Sequence, residues 1–235
     1  MMILRYAILL VLLLSWASVA SAVTIIDTCV RANEGPPLSA SWGNSWHGTG
    51  LIIASNKCVG NSDGNDRGGY WSAATFGPDI DMQVTISTID ENNFFRTVEL
   101  QARLVNPTNA GTVDGYAARI EPDSGGNGFA ARMRLWRIDN GVYTALSDSN
   151  NEHTFADGEK YRFTITGSTL EHFYDAGGGW VSIDTATDST YSASGYVGLA
   201  TNTGAAKLTM IDFGAETVGG GGGPATFGFL RRRGQ

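Results

Sequence analysis

The 235-residue sequence is short of basic charge, of cysteine and of histidine, and each shortage excludes something. Sixteen Lys and Arg stand against 23 Asp and Glu, a formal net charge of −7. Nucleic acid and anionic membrane surfaces require a basic footprint, so neither is an expected partner. The three histidines, His47, His153 and His172, have no metal-ligand spacing, and read as solvated or core residues. No phosphate-cradling glycine-rich loop is present. Helical periodicity is also missing: after residue 23 no long stretch carries apolar residues at helical spacing.

Glycine, by contrast, is plentiful at 31 residues, and turn signals recur at short intervals, which suits many short strands. Alternation is cleanest between Phe94 and Arg137. Val98, Leu100, Ala102 and Leu104 form one set, against Glu99, Gln101 and Arg103. Tyr116, Ala118 and Ile120 stand against Arg119 and Glu121, and Met133 and Leu135 against Arg132, Arg134 and Trp136. Strict alternation marks antiparallel strands with one face in a core and the other free. Further strands are expected at Thr24–Val30, Tyr70–Phe76, Val142–Leu146, Leu170–Tyr174, Tyr196–Ala200 and Lys207–Phe213, and a hairpin at Leu51–Gly60. Asn140-Gly141 predicts a tight turn, because both residues tolerate positive φ. Twelve to fourteen strands make a two-sheet sandwich rather than a small barrel.

The ends differ from this body. Arg5, the apolar run Ala7–Leu14 and Ala20-Ser21-Ala22 have the layout of a secretory signal peptide over residues 1–22. The run is too short for an ordinary membrane span, so no membrane insertion is expected after cleavage. Residues 23–218 form the expected domain. Residues 219–235, with five consecutive glycines and Arg231-Arg232-Arg233, read as a flexible tail. In an exported chain Cys29 and Cys58 are expected to pair, the alternative being two buried thiols.

Gly115-Tyr116-Ala117-Ala118-Arg119, Leu135-Trp136-Arg137-Ile138-Asp139-Asn140-Gly141, Gly158-Glu159-Lys160-Tyr161-Arg162-Phe163 and Gly195-Tyr196-Val197-Gly198-Leu199 carry a family likeness. With them, the chain from about Ile25 to Val218 resembles the concanavalin A-like lectin/glucanase superfamily, in its laminin-G-like jelly-roll form. The resemblance implies two stacked antiparallel sheets, one of them concave and facing solvent. It places Glu99, Gln101, Arg103, Arg119, Arg132, Arg134 and Trp136 on that concave face, and so implies a glycan site there. It further implies a structural Ca2+ held by Asp27 and Asp212, with Glu34 assisting. The glycosidase strand pattern Glu-x-Asp-x-x-Glu of the superfamily is missing. Glu99 and Glu121 are the remaining carboxylate pair, and arginines beside them should lower both pKa values and spoil a general acid.

Trp136 flanked by Arg and Gln offers a flat apolar face and planar polar groups to a sugar ring. Tyr70, Trp71 and Trp180 stand where they could join it from loops. The competing reading makes Trp136 a sheet-edge cap and the arginines a lattice with Glu99 and Glu121. Trp42 and Trp46 read as core or loop-packing residues. The leading expectation is a secreted, non-catalytic lectin-like module for a polysaccharide or glycoconjugate, acidic or sulfated to suit Arg103, Arg119, Arg132 and Arg134. The alternatives are a self-associating structural or assembly module of a cell surface, filament or virion, and a polysaccharide hydrolase or lyase with an unfamiliar site.

Overall fold

The computed structural model describes residues 23–48, 50–62, 66–89, 97–122, 130–147, 152–202 and 208–219. The expected signal segment and the tail beyond residue 219 lie outside them. Sixteen strands form among the described residues. They are β1 (Ile25–Asp27), β2 (Trp42–Asn44), β3 (Leu51–Ala54), β4 (Lys57–Gly60), β5 (Arg67–Trp71), β6 (Ile80–Ile89), β7 (Val98–Val105) and β8 (Asp114–Pro122). There follow β9 (Ala130–Asp139), β10 (Val142–Ala145), β11 (Glu152–Thr154), β12 (Lys160–Thr166), β13 (Thr169–Asp175), β14 (Val181–Thr187), β15 (Tyr196–Thr201) and β16 (Leu208–Thr217).

Two antiparallel sheets result. The first runs β14-β13-β12-β6-β16-β4-β3, with β1 beside β16; the second runs β10-β9-β8-β7-β15-β5-β2, with β11 beside β9. Period-two alternation delivers one row of each strand to the space between them. Met82, Val84 and Ile86 of β6 and Tyr161, Phe163 and Ile165 of β12 meet Leu100, Ala118 and Leu135 of the second sheet, all buried. Cys29 and Cys58 form the expected disulfide, with Cα atoms 5.3 Å apart, tying the segment after β1 to β4. A bridge across this separation of 29 residues contributes about 3–4 kcal/mol on the chain-entropy account.

Three expectations are corrected. Tyr70–Phe76 is not one strand: β5 covers Arg67–Trp71, and Phe76 keeps only an isolated bridge to Gly195. The first strand stops at Asp27, because Cys29 takes a φ of 59° and leaves extended geometry.

The third lies in β7. Its alternation breaks at Arg103, where φ is 51° and β7 holds one residue more than either neighbour between matched pairs. Such a bulge reverses which face the following side chains take. Arg103 therefore turns away from the outer face and Leu104 turns onto it, the opposite of the simple pattern. Gly195 permits the bulge, since a Cβ there would stand 2.5 Å from the Arg103 carbonyl carbon.

Candidate functional site

The outer face of the second sheet carries the chemistry. β7 supplies Glu99 and Gln101, β8 supplies Arg119 and Glu121, and β9 supplies Arg132, Arg134 and Trp136, all opposite the rows that enter the core. The Asn140-Gly141 turn sets Tyr143 opposite Ile138, and so on the face of Trp136. An apolar floor of Leu104, Ala117 and Ile138 lies beside them, with Trp46, Tyr70, Trp136, Tyr143 and Tyr196 packed against it.

The face is partly covered, contrary to the expectation of a free surface. After β2 the chain crosses it, held by Ser45 N to Gly68 O at 3.1 Å and Trp46 N to Pro107 O at 2.8 Å. His47 is thereby set over Glu99 and Gln101, which are 1% and 0% exposed. Glycine is required below this crossing: a Cβ on Gly68 would reach Ser45 Oγ at 2.5 Å and His47 Cδ2 at 3.1 Å. One on Gly198 would stand 2.7 Å from Gln101 Oε1.

Glu99 is the hub. Its Oε1 accepts from Gln101 Nε2 at 2.5 Å and from the Tyr143 hydroxyl at 2.7 Å. The same Gln101 nitrogen is 2.8 Å from His47 Nε2, and Tyr143 Oη is 3.3 Å from it. His47 Nε2 also stands 3.6 Å from Glu99 Oε1. Its Nδ1 faces Asp66 Oδ2 at 4.0 Å. Arg119 Nη2 donates to both Asp66 oxygens at 3.1 Å, while its Nε lies 3.6 Å from Glu99 Oε2 and from Glu121 Oε1. Arg134 is 3.5 Å from Glu121 and stacks on Trp136 at 5.9 Å.

These neighbours separate the two carboxyls. Burial favours neutral Glu99, but His47, Arg119 and the Gln101 amide outweigh it and bring the pKa down to about 2. For Glu121 burial outweighs Arg119 and Arg134, and its pKa is raised, against the expectation that arginines would lower both. Burial raises Tyr143 as well, with the Glu99 carboxylate adding to it, so the phenol stays protonated and donates. A carboxylate so fixed as an anion, under His47 and Tyr143, is an organising charge rather than a proton donor.

Of the expected glycan residues, the structure brings Glu99, Gln101, Arg119, Arg132, Arg134 and Trp136 to one face. Arg103 is absent from it. Its guanidinium lies at an end of the sandwich, donating to the carbonyls of Pro78 at 2.7 Å, Tyr191 at 2.7 Å and Gly167 at 2.8 Å. Among the aromatics named from loops, Tyr70 reaches the face, Trp71 packs edge-on against the core residue Trp42, and Trp180 stacks on Arg162 of the first sheet. Sequence reasoning missed His47, Asp66 and Tyr143, and took Trp46 only as packing. Of these, only Tyr143 had a signal, namely its register across the Asn-Gly turn.

Several polar atoms on this face are buried without a hydrogen-bond partner among the described residues: the indole nitrogens of Trp46 and Trp136, Arg119 Nε, Arg134 Nε and Gln101 Oε1. Native proteins seldom leave such atoms unmatched, and here they cluster on one surface. Trp46 and Trp136 flank Tyr143, with ring centroids 5.6 and 5.8 Å from it.

Asp27, one of the two expected calcium ligands, is already engaged by other donors. Asp27 accepts from Trp42 Nε1 and Cys29 N at 2.7 Å each and is ion-paired with Arg31 at 2.5 Å. A guanidinium so close occupies the oxygens that a hard cation would take. Among the described residues no three His, Cys, Asp or Glu gather as metal ligands.

No protein-family model and no curated protein matches the chain. Solved structures do match. A carbohydrate-binding module, CBM66 from Bacillus subtilis, is 19% identical, with 75% of this chain and 96% of that one covered and a TM-score of 0.52. A legume lectin-like domain from Entamoeba histolytica is 14% identical, covering 85% and 100%, at 0.55. The VIP36 exoplasmic/lumenal domain in its Ca2+/Man-bound form is 11% identical, covering 79% and 89%, at 0.57. That domain is known also in a metal-free form. At these identities the likeness establishes the fold: a concanavalin A-like jelly roll.

Proposed function

We propose that this jelly roll is a secreted, non-catalytic, lectin-like module that binds a polysaccharide or glycoconjugate on the outer face of its second sheet. The observation that carries the reading is the arrangement of Trp46, Tyr143 and Trp136 beside the guanidinium of Arg134. Aromatic faces suit the apolar side of a pyranose, and the partly exposed Arg134 guanidinium suits its oxygens. Similarity in fold to a carbohydrate-binding module and to lumenal lectins supports both the ligand and an extracellular or lumenal setting. The disulfide fits an oxidising compartment. Fold alone would not carry this reading; the site does. Calcium is not assigned to Asp27 and Asp212.

A glycan array probed with and without Ca2+, on the parent and on Trp136→Ala, tests the proposal. Selective binding that Trp136→Ala loses while keeping its thermal transition is the expected result. A well-folded parent that binds nothing on the array would reject it in favour of an assembly module.

A further inference from the structure

The arginines of the outer face suggested acidic or sulfated ligands when read from sequence, and their geometry argues otherwise. Arg103 is not on the face at all. Arg119 is bound to both oxygens of Asp66 and lies beside Glu99 and Glu121, with its side chain only 16% exposed. Arg134 is opposed by Glu121. The register sets Arg132 opposite Glu121 of β8.

A ligand arriving here therefore meets carboxylates among the guanidiniums. Asp66, Glu121 and Arg134 are each about a quarter exposed, so both signs reach the surface. A sulfate or carboxylate only accepts hydrogen bonds and is repelled by Asp66 and Glu121. A hydroxyl accepts from an arginine N–H and donates to the neighbouring carboxylate at once. From this, resting on the glycan reading above, we infer that the face takes an uncharged, hydroxyl-rich saccharide and discriminates against acidic or sulfated ones. Arg119 is then a strut for Asp66 and Glu99 rather than an anion hook, and Asp66 is the residue that sets the discrimination.

The test is affinity electrophoresis of the full chain against neutral polysaccharides (mannan, dextran, levan, xylan) and charged ones (heparin, alginate). It is run at about 0.01 M and about 0.15 M ionic strength, between which the screening length falls from about 30 to about 8 Å. Retardation by a neutral polysaccharide, changing less than about twofold with salt, is the expected result, since no counterions are exchanged. Asp66→Asn should gain retardation by heparin at low salt, with a thermal transition confirming its fold. Binding confined to heparin or alginate and lost with salt overturns the inference and leaves the glycan reading standing. No retardation by any of the six overturns both.

Discussion

Tyr143 donates its phenolic hydrogen to Glu99 Oε1 over 2.7 Å, fastening the β9–β10 hairpin to a buried carboxylate on β7. Hydrogen bonds to charged buried groups are the stronger kind, worth about 1.5–3 kcal/mol. Tyr143→Phe should lower the free energy of unfolding by about that amount at neutral pH and shift the acid midpoint upward, since Glu99 loses a donor. Urea denaturation at several pH values measures both. A variant as stable as the parent would show that the hydroxyl contributes nothing to holding Glu99.

Arg103 and Arg134 look alike in sequence, and their substitutions should behave in opposite ways. Arg103→Met removes three donors and leaves the carbonyls of Pro78, Tyr191 and Gly167 unmatched, a loss of about 3–5 kcal/mol. Whatever protein remains folded should bind saccharide as the parent does. Arg134→Met should change stability by less than about 1 kcal/mol, its ion pair being partly exposed, and should weaken binding. Calorimetry paired with a binding assay separates the two effects.

Stability should decline in mild acid. His172 is fully buried, and burial lowers its pKa from 6.5 to about 3. Between those values the unfolded chain takes up a proton that the folded chain refuses, so stability falls as pH falls, at up to about 1.4 kcal/mol per pH unit. Glu99 acts in the same direction lower down: it stays ionised to about 2 when folded, while the unfolded carboxyl protonates near 4.5. Glu121, with a raised pKa, works the other way and offsets part of that loss. His172→Gln should flatten the profile between about pH 6.5 and 3, leaving the Glu99 contribution between about 4.5 and 2 in place. An unchanged slope there would assign the early decline to other groups.

Asp27→Ala should cost about 2–3 kcal/mol through its lost bonds to Trp42, Arg31 and Cys29 N, equally with and without Ca2+. Thermal unfolding of parent and variant, in calcium and in chelator, checks this. A calcium-dependent gap between them would restore Asp27 as a metal ligand.

Much of this was legible from the chain. Alternation placed Glu99, Gln101, Arg119, Arg132, Arg134 and Trp136 on one face, because burial of the opposite row fixes register in a half-buried strand. It failed at Arg103 because the bulge leaves no local mark: Gln101-Ala102-Arg103-Leu104 alternates without fault. What turns Arg103 inward is a set of carbonyls and a glycine that lie far away in sequence. The crossing that sets Trp46 and His47 over the sheet was equally hidden, since an irregular segment has no period to read. Charge type could be seen, but the pairing of Arg119 with Asp66 depends on where a loop residue comes to rest.

The order of strands has a consequence for how the molecule is made. β16 lies between β6 and β4, and β15 between β7 and β5. Each sheet thus stays divided until Tyr196–Thr217 arrives, with the facing edges of β4, β5, β6 and β7 unpaired. Contacts of such long sequence separation form slowly. A nascent chain ending before Tyr196 cannot close the sandwich. The same open edges make that truncated chain prone to aggregate.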